Sequence, residues 1–177
     1  MNMTSNNFTH ILLLTGLTFI LGTIIPANAN ADEISRNGKW AAYMHEDGGD
    51  KVCYMASEPE KKAGNYSQRG DVFAFITHRP SKNSKNVFSY IAGYTYKTDS
   101  EVTVTIDSQT FTLFPHGNMA WTPDEATDAK ITDAIRKGSK MVVKGYSSRG
   151  TLTTDTFSLR GTGASYKDIS EQCGVTF

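Results

Sequence analysis

Alternating apolar and polar residues along most of the chain predict β-strands. Within residues 101–106, Val102, Val104 and Ile106 alternate with polar residues, so the three apolar side chains share one face of a strand. Residues 109–114 follow after a two-residue turn and continue as a second strand. The pattern predicts an antiparallel hairpin with one buried and one solvated face.

Two other segments are apolar on both faces, which is typical of strands in the middle of a sheet. They are residues 72–76 and 87–94. Two further hairpins are predicted where turn residues separate paired β segments. They join 40–44 to 52–56 and 141–144 to 154–159. The chain therefore predicts a mainly β fold, an antiparallel β-sandwich or barrel, with polar loops at 57–70 and 80–86.

One helix is predicted from its start and stop signals. Thr122 can cap the first turn through its hydroxyl, Pro123 suits the first helical position, and Glu125 completes a capping box. An apolar stripe follows at helical spacing, and Gly138 ends it. The helix is expected over about residues 123–137.

The beginning of the chain differs from the rest in charge. The first 31 residues contain no Lys, Arg, Asp or Glu, and Asp32 is the first charged residue. Residues 11–25 are predominantly apolar, and two Ala-x-Ala sequences of the kind that signal peptidase recognises follow them. We predict a cleaved signal peptide over residues 1–31 and a single mature domain over 32–177. An uncleaved membrane anchor is the alternative.

Export makes the two cysteines informative. Cys173 follows Tyr166 and Ile169 at helical spacing on a second short helix that Gly174 ends, while Cys53 lies in a predicted strand. In an oxidising compartment two such thiols favour a single disulfide. A nucleophilic or metal-binding cysteine is the alternative, although Cys53 lacks a C-x-x-C partner.

The overall charge excludes one class of partner. The chain has 18 Lys and Arg against 18 Asp and Glu, for a formal net charge of zero. No global basic field is present to bind nucleic acid or an anionic membrane. A hydrophobic share of 38%, with nine Phe and eight Tyr, suits one packed core and not a disordered chain.

A series of short motifs runs along nearly all of the predicted mature chain. They are Cys53-Tyr54-Met55-Ala56, Arg69-Gly70-Asp71, Thr77-His78-Arg79-Pro80, Ile91-Ala92-Gly93-Tyr94, Val102-Thr103-Val104-Thr105-Ile106-Asp107, Ala120-Trp121, Val142-Val143-Lys144-Gly145, Ser147-Ser148-Arg149-Gly150-Thr151 and Cys173-Gly174. In order and spacing they resemble the invasion-associated locus B family of bacterial envelope proteins. The resemblance implies a mostly β protein of the periplasm or outer envelope, or a secreted one, without established enzymatic activity. It also implies pairing of Cys53 with Cys173.

No pattern typical of catalysis is present in the sequence. His45, His78 and His116 lack the spacing that directs two imidazoles at one metal ion. No G-x-S-x-G motif occurs, and the acidic residues after Pro123 are explained by the start of a helix. We therefore predict no catalytic residue, no metal site and no cofactor.

Two short segments are candidates for binding. Arg79, Lys82 and Lys85, here called the basic patch, follow a predicted central strand and could contact an anionic ligand or a glycan. An ordinary solvated loop is the alternative. Arg69-Gly70-Asp71 matches a tripeptide that some adhesive proteins present to integrins, but its position before a strand favours a simple turn.

Together these features predict an exported envelope binding protein. Host-cell contact or invasion is the finer hypothesis, because one family member is linked to it. A secreted inhibitor of an envelope enzyme and an envelope hydrolase are the alternatives. The expected partner is an unidentified envelope or host-surface molecule, and no transmembrane span is expected once the signal peptide is removed.

Overall fold

The computed structural model describes residues 31–176, so residues 1–30 of the predicted signal peptide lie outside the described residues. The described chain forms eleven strands and two α-helices. The strands are β1 Asp32–Asn37, β2 Trp40–Asp47, β3 Asp50–Ser57, β4 Lys61–Gly64, β5 Phe73–Arg79, β6 Ser84–Ile91, β7 Val102–Ile106, β8 Gln109–His116, β9 Met119–Trp121, β10 Lys140–Tyr146 and β11 Leu152–Ser158. The helices are α1 Glu125–Lys137 and α2 Thr162–Cys173, and a 3₁₀ turn covers Pro80–Lys82. None of the helices in this region is both long and apolar enough to cross a membrane.

All strand pairs are antiparallel, in the order β1-β2-β3-β5-β6-β9-β8-β7-β10-β11-β4. Strand β8 joins two halves of the sheet, one from β1 to β9 in this order and the other from β7 to β4. Its residues 114–116 pair with β9, and its residues 109–113 pair with β7. The two halves enclose a common core, in which the rings of Tyr90 from β6 and Phe157 from β11 meet edge to face at 6.2 Å. The mainly β, sandwich-like prediction is confirmed.

The alternation in the sequence corresponds to the inner and outer faces of the strands. Val102, Val104 and Ile106 are at most 1% exposed, as their alternation predicts. Strand β5 lies between β3 and β6, which confirms its central position. The other face of β5, which carries Phe73 and Phe75, is only half-buried. The Phe75 ring packs there against the rings of Phe73 and Tyr54.

Helix α1 forms where it was predicted, but the predicted cap is wrong. Asp124 is the N-cap, and its carboxylate accepts a hydrogen bond of 2.7 Å from the Thr127 N–H. The Thr122 hydroxyl instead donates to the buried carboxylate of Asp128 at 2.5 Å. Asp128 also accepts the Phe88 N–H at 2.8 Å, which fixes α1 to strand β6.

Helix α2 packs against β2, β3 and β5, and a disulfide closes this contact. Cys173, the last residue of α2, is bonded to Cys53 in β3, which lies 120 positions earlier in the sequence. Gly174 adopts a left-handed conformation with φ of 64° and ends the helix as predicted. The predicted disulfide and the short C-terminal helix are both confirmed.

Some strand boundaries differ from the prediction. Strands β1, β4 and β9 were missed, and β4 lies inside the predicted loop 57–70. Strands β1 and β4 are the outer edges of the sheet and are largely exposed, so burial does not impose an alternating pattern on them. Strand β6 ends at Ile91 instead of Tyr94, because Gly93 turns the chain with a φ of 72°.

Candidate functional site

Three loops converge on a polar cleft of about 930 Å³ at one end of the sandwich. One loop precedes β5, the second follows β6, and the third is the turn between β10 and β11. Loops carried on a rigid sheet are the usual place for binding residues. The lining residues are Asn65, Tyr66, Ser67, Gln68, Arg69, Gly70, Gly93, Tyr94, Thr95, Ser147, Ser148, Arg149, Thr151 and Thr153.

Backbone hydrogen bonds hold the three loops to one another. The Gly70 N–H donates to the Gly93 carbonyl at 3.0 Å, and the Ser148 N–H donates to the Thr95 carbonyl at 2.8 Å. A Cβ atom on Gly93 would lie 2.4 Å from the Gly70 oxygen, so the close approach of these two loops requires glycine. The cleft is therefore preformed in the described structure.

A buried ion pair forms the floor of the cleft. The Arg69 guanidinium donates two hydrogen bonds of 2.7 Å to the Asp155 carboxylate and one of 2.7 Å to the Ala92 carbonyl. The side chains of Arg69 and Asp155 are 4% and 1% exposed. Burial alone would lower the pKa of Arg69, but the hydrogen bonds and the negative charge of Asp155 raise it overall. Arg69 therefore stays charged and hydrogen-bonded to Asp155.

Three tyrosines surround this ion pair. The Arg69 guanidinium carbon lies 5.4 Å from the centre of the Tyr66 ring and 5.0 Å from that of Tyr94, within the range of cation–π contacts. The Tyr90 hydroxyl donates to the Asp155 carboxylate, and burial raises the pKa of that hydroxyl strongly. These contacts fix the positions of the rings at the floor.

The side chains that line the cleft are mainly hydroxyls and amides, which can donate and accept hydrogen bonds. Its lining contains no histidine, cysteine or carboxylate, and the nearby Asp155 already accepts hydrogen bonds from Arg69 and Tyr90. A general base or an activated nucleophile needs a free, positioned partner. Over residues 31–176, no group of three or more His, Cys, Asp or Glu side chains is arranged to hold a metal ion.

The burial of Arg69 also bears on the Arg-Gly-Asp sequence. With its guanidinium beneath the cleft, this arginine cannot extend from a loop tip together with Asp71. The segment lies in the loop that leads into β5.

The basic patch lies elsewhere, beside the β2–β3 turn. Arg79 forms an ion pair of 3.0 Å with Asp47, and the Lys82 ammonium lies 4.0 Å from Asp50. Lys85 is exposed on β6. Exposed pairs of this kind are weak, but they reduce the net positive charge of the patch. Binding by the patch remains a prediction.

The ion pair at the cleft floor was not found from the sequence. Arg69 and Asp155 are 86 positions apart and come together only because β4 and β11 pair next to the loop that carries Arg69. One signal was available: Asp155 occupies an inward position of an alternating strand, between Thr153 and Phe157. A buried carboxylate at such a position needs a cationic partner.

Fold and site together define the class of protein: a disulfide-bonded antiparallel β-sandwich that presents a preformed polar cleft built from loops. The chain belongs to the Invasion associated locus B (IalB) protein family, whose model matches residues 40–170.

The fold also resembles that of a solved structure. The crystal structure of invasion associated protein B from Bartonella henselae matches with a TM-score of 0.52 at 14% identity, covering 78% of this chain and 96% of that chain. No curated protein matches the chain.

Proposed function

We propose that the protein is an extracytoplasmic binding protein of the bacterial envelope and that the loop cleft is its ligand site. One observation carries the proposal: three rigidly connected loops form an open polar cleft whose buried charges are already paired. A site with this construction can bind a ligand without rearranging and without reacting with it.

The proposed location has separate support. Disulfides persist in oxidising compartments outside the cytoplasm, and this chain contains one between Cys53 and Cys173. Membership of the Invasion associated locus B (IalB) protein family supports the same location. Contact with a host cell is the finer form of the proposal, and it rests on the name of the family and on that of the similar protein, invasion associated protein B from Bartonella henselae.

The proposal is tested by blocking the cleft. Ser148 is exposed in the β10–β11 turn, and only its backbone N–H is used to hold Thr95, so Ser148→Trp adds bulk over the cleft without removing that hydrogen bond. Thr112→Trp places the same bulk on an exposed position of β8 outside the cleft and is the matched control.

Labelled wild type and both variants are titrated onto isolated bacterial envelopes and onto host-cell membranes. We expect saturable binding by the wild type and by Thr112→Trp, and its loss in Ser148→Trp. If Ser148→Trp binds as the wild type does, the cleft is not the ligand site. The two membrane preparations separate an envelope role from a host-contact role.

A further inference from the structure

The cleft lacks the apolar surface that most small-molecule sites have. None of its fourteen lining residues is aliphatic, and its side chains are hydroxyls, amides, two arginines and two tyrosines. Pockets for peptides and drug-like ligands are lined mainly by hydrophobic side chains. This lining instead suits a ligand whose surface is covered with groups that both donate and accept hydrogen bonds.

Serine, threonine, asparagine and glutamine side chains also donate and accept, so they match the hydroxyl groups of a sugar ring. Tyr66 and Tyr94 are half-buried in the lining and supply aromatic surface for the C–H groups of such a ring. A volume of about 930 Å³ leaves room for a ligand of more than one sugar ring.

Both charged residues that line the cleft are arginines. Arg69 and Arg149 are the charged residues in the lining, and the charge of Arg69 is offset by Asp155. Arg149 lies exposed on the β10–β11 turn and forms no ion pair with any residue of the described chain. A free guanidinium at the rim is suited to a carboxylate, which it can bind through two parallel hydrogen bonds.

From this lining and this charge we infer that the cleft binds an acidic saccharide, with Arg149 contacting the carboxylate of the sugar. The inference rests on the proposed function, because it names the ligand class of the same site. Acidic sugars occur both in bacterial walls and on host cells, so the experiment includes a probe from each source.

The experiment compares two pairs of sugars by isothermal titration calorimetry and by amide NMR shifts. The first pair is the disaccharide of N-acetylglucosamine and N-acetylmuramic acid, which carries a carboxylate, and neutral N,N′-diacetylchitobiose. The second pair is sialyllactose and neutral lactose. Within each pair the comparison tests the carboxylate, and between pairs it distinguishes a wall ligand from a host glycan.

Two variants test whether Arg149 contacts the carboxylate of the sugar. Arg149→Gln removes the charge from an exposed turn, and Arg160→Gln removes an exposed arginine outside the cleft as the matched control. We expect one acidic sugar to bind more tightly than its neutral partner. Arg149→Gln should lower the affinity for that sugar about tenfold, as expected for the loss of a charge-assisted hydrogen bond. Arg160→Gln should leave this affinity unchanged. Amide shifts caused by the sugar should lie in the three cleft loops.

Three results would overturn the inference. If the neutral sugars bind as tightly as the acidic ones, or if Arg149→Gln keeps the preference, the cleft does not recognise the anion. If none of the four sugars binds, the ligand is not a saccharide of this class. In each case the proposed function is judged separately, by whether Ser148→Trp removes binding to envelopes or host membranes.

Discussion

Acid should destabilise the protein through one buried histidine. His78 lies in β5 beside the disulfide and is 0% exposed. Its Nδ1 accepts the Asn86 N–H at 3.0 Å, so the proton of the neutral ring is on Nε2, which lies 3.2 Å from the Ser170 hydroxyl. A second proton would point at the Asn86 N–H, and the charged ring would lack a counterion.

The structure sets the size of the effect. Burial, and to a smaller extent the positive charge of Lys85, lowers the pKa of His78 to about 4 from its ordinary value of 6.5. Between these values the unfolded state binds more protons than the folded state, so stability falls as the pH falls. Each pH unit corresponds to about 1.4 kcal/mol, and the total loss is about 3 kcal/mol from pH 6.5 to pH 4.

Urea unfolding followed by tryptophan fluorescence, at several pH values in this range, measures the effect. His78→Gln removes the buried imidazole. His116→Gln removes an exposed imidazole from β8 and is the matched control. We expect wild type and His116→Gln to lose stability steeply with acid and His78→Gln to lose it less. Equal slopes would refute the reasoning. Direct NMR titration of the wild type adds an independent check, since a His78 pKa near 6.5 would contradict it.

Four other predictions concern the ion pair, the disulfide, the basic patch and processing. Asp155→Asn should lower the free energy of unfolding by about 3–5 kcal/mol, because it leaves the Arg69 charge buried and unpaired; a loss below about 1 kcal/mol in urea unfolding would contradict this. Replacing both cysteines with alanine should lower the free energy of unfolding by about 2–5 kcal/mol. The intact mass of the native protein should be two hydrogens below that of the reduced chain, and free thiols in native protein would contradict the disulfide. Glutamate at all three positions of the basic patch should weaken envelope or host-cell binding and flatten its salt dependence, with circular dichroism unchanged; equal binding at low and high salt would rule the patch out. Amino-terminal sequencing of exported protein should begin at Asn30 or Asp32, whereas a start at Met1 would indicate an uncleaved anchor.

Local patterns in the sequence were sufficient for most of the secondary structure. The alternation over 101–106 depends only on neighbouring residues and on which side of the strand meets the core, so it could be recognised without the fold. The same holds for α1 and for the C-terminal helix that carries Cys173. The predicted signal peptide and the presence of two cysteines were enough to predict the disulfide, because no other pairing was possible within the chain.

The candidate site depended on the tertiary structure. The cleft requires three loops from distant parts of the chain, and its floor joins Arg69 to Asp155 across 86 positions. The pairing of Arg79 in β5 with Asp47 in β2 likewise depends on β3 lying between these two strands in the sheet. Such contacts are set by strand order and register. Periodicity determines which face of a strand is buried, but it carries no information about which distant strand lies beside it.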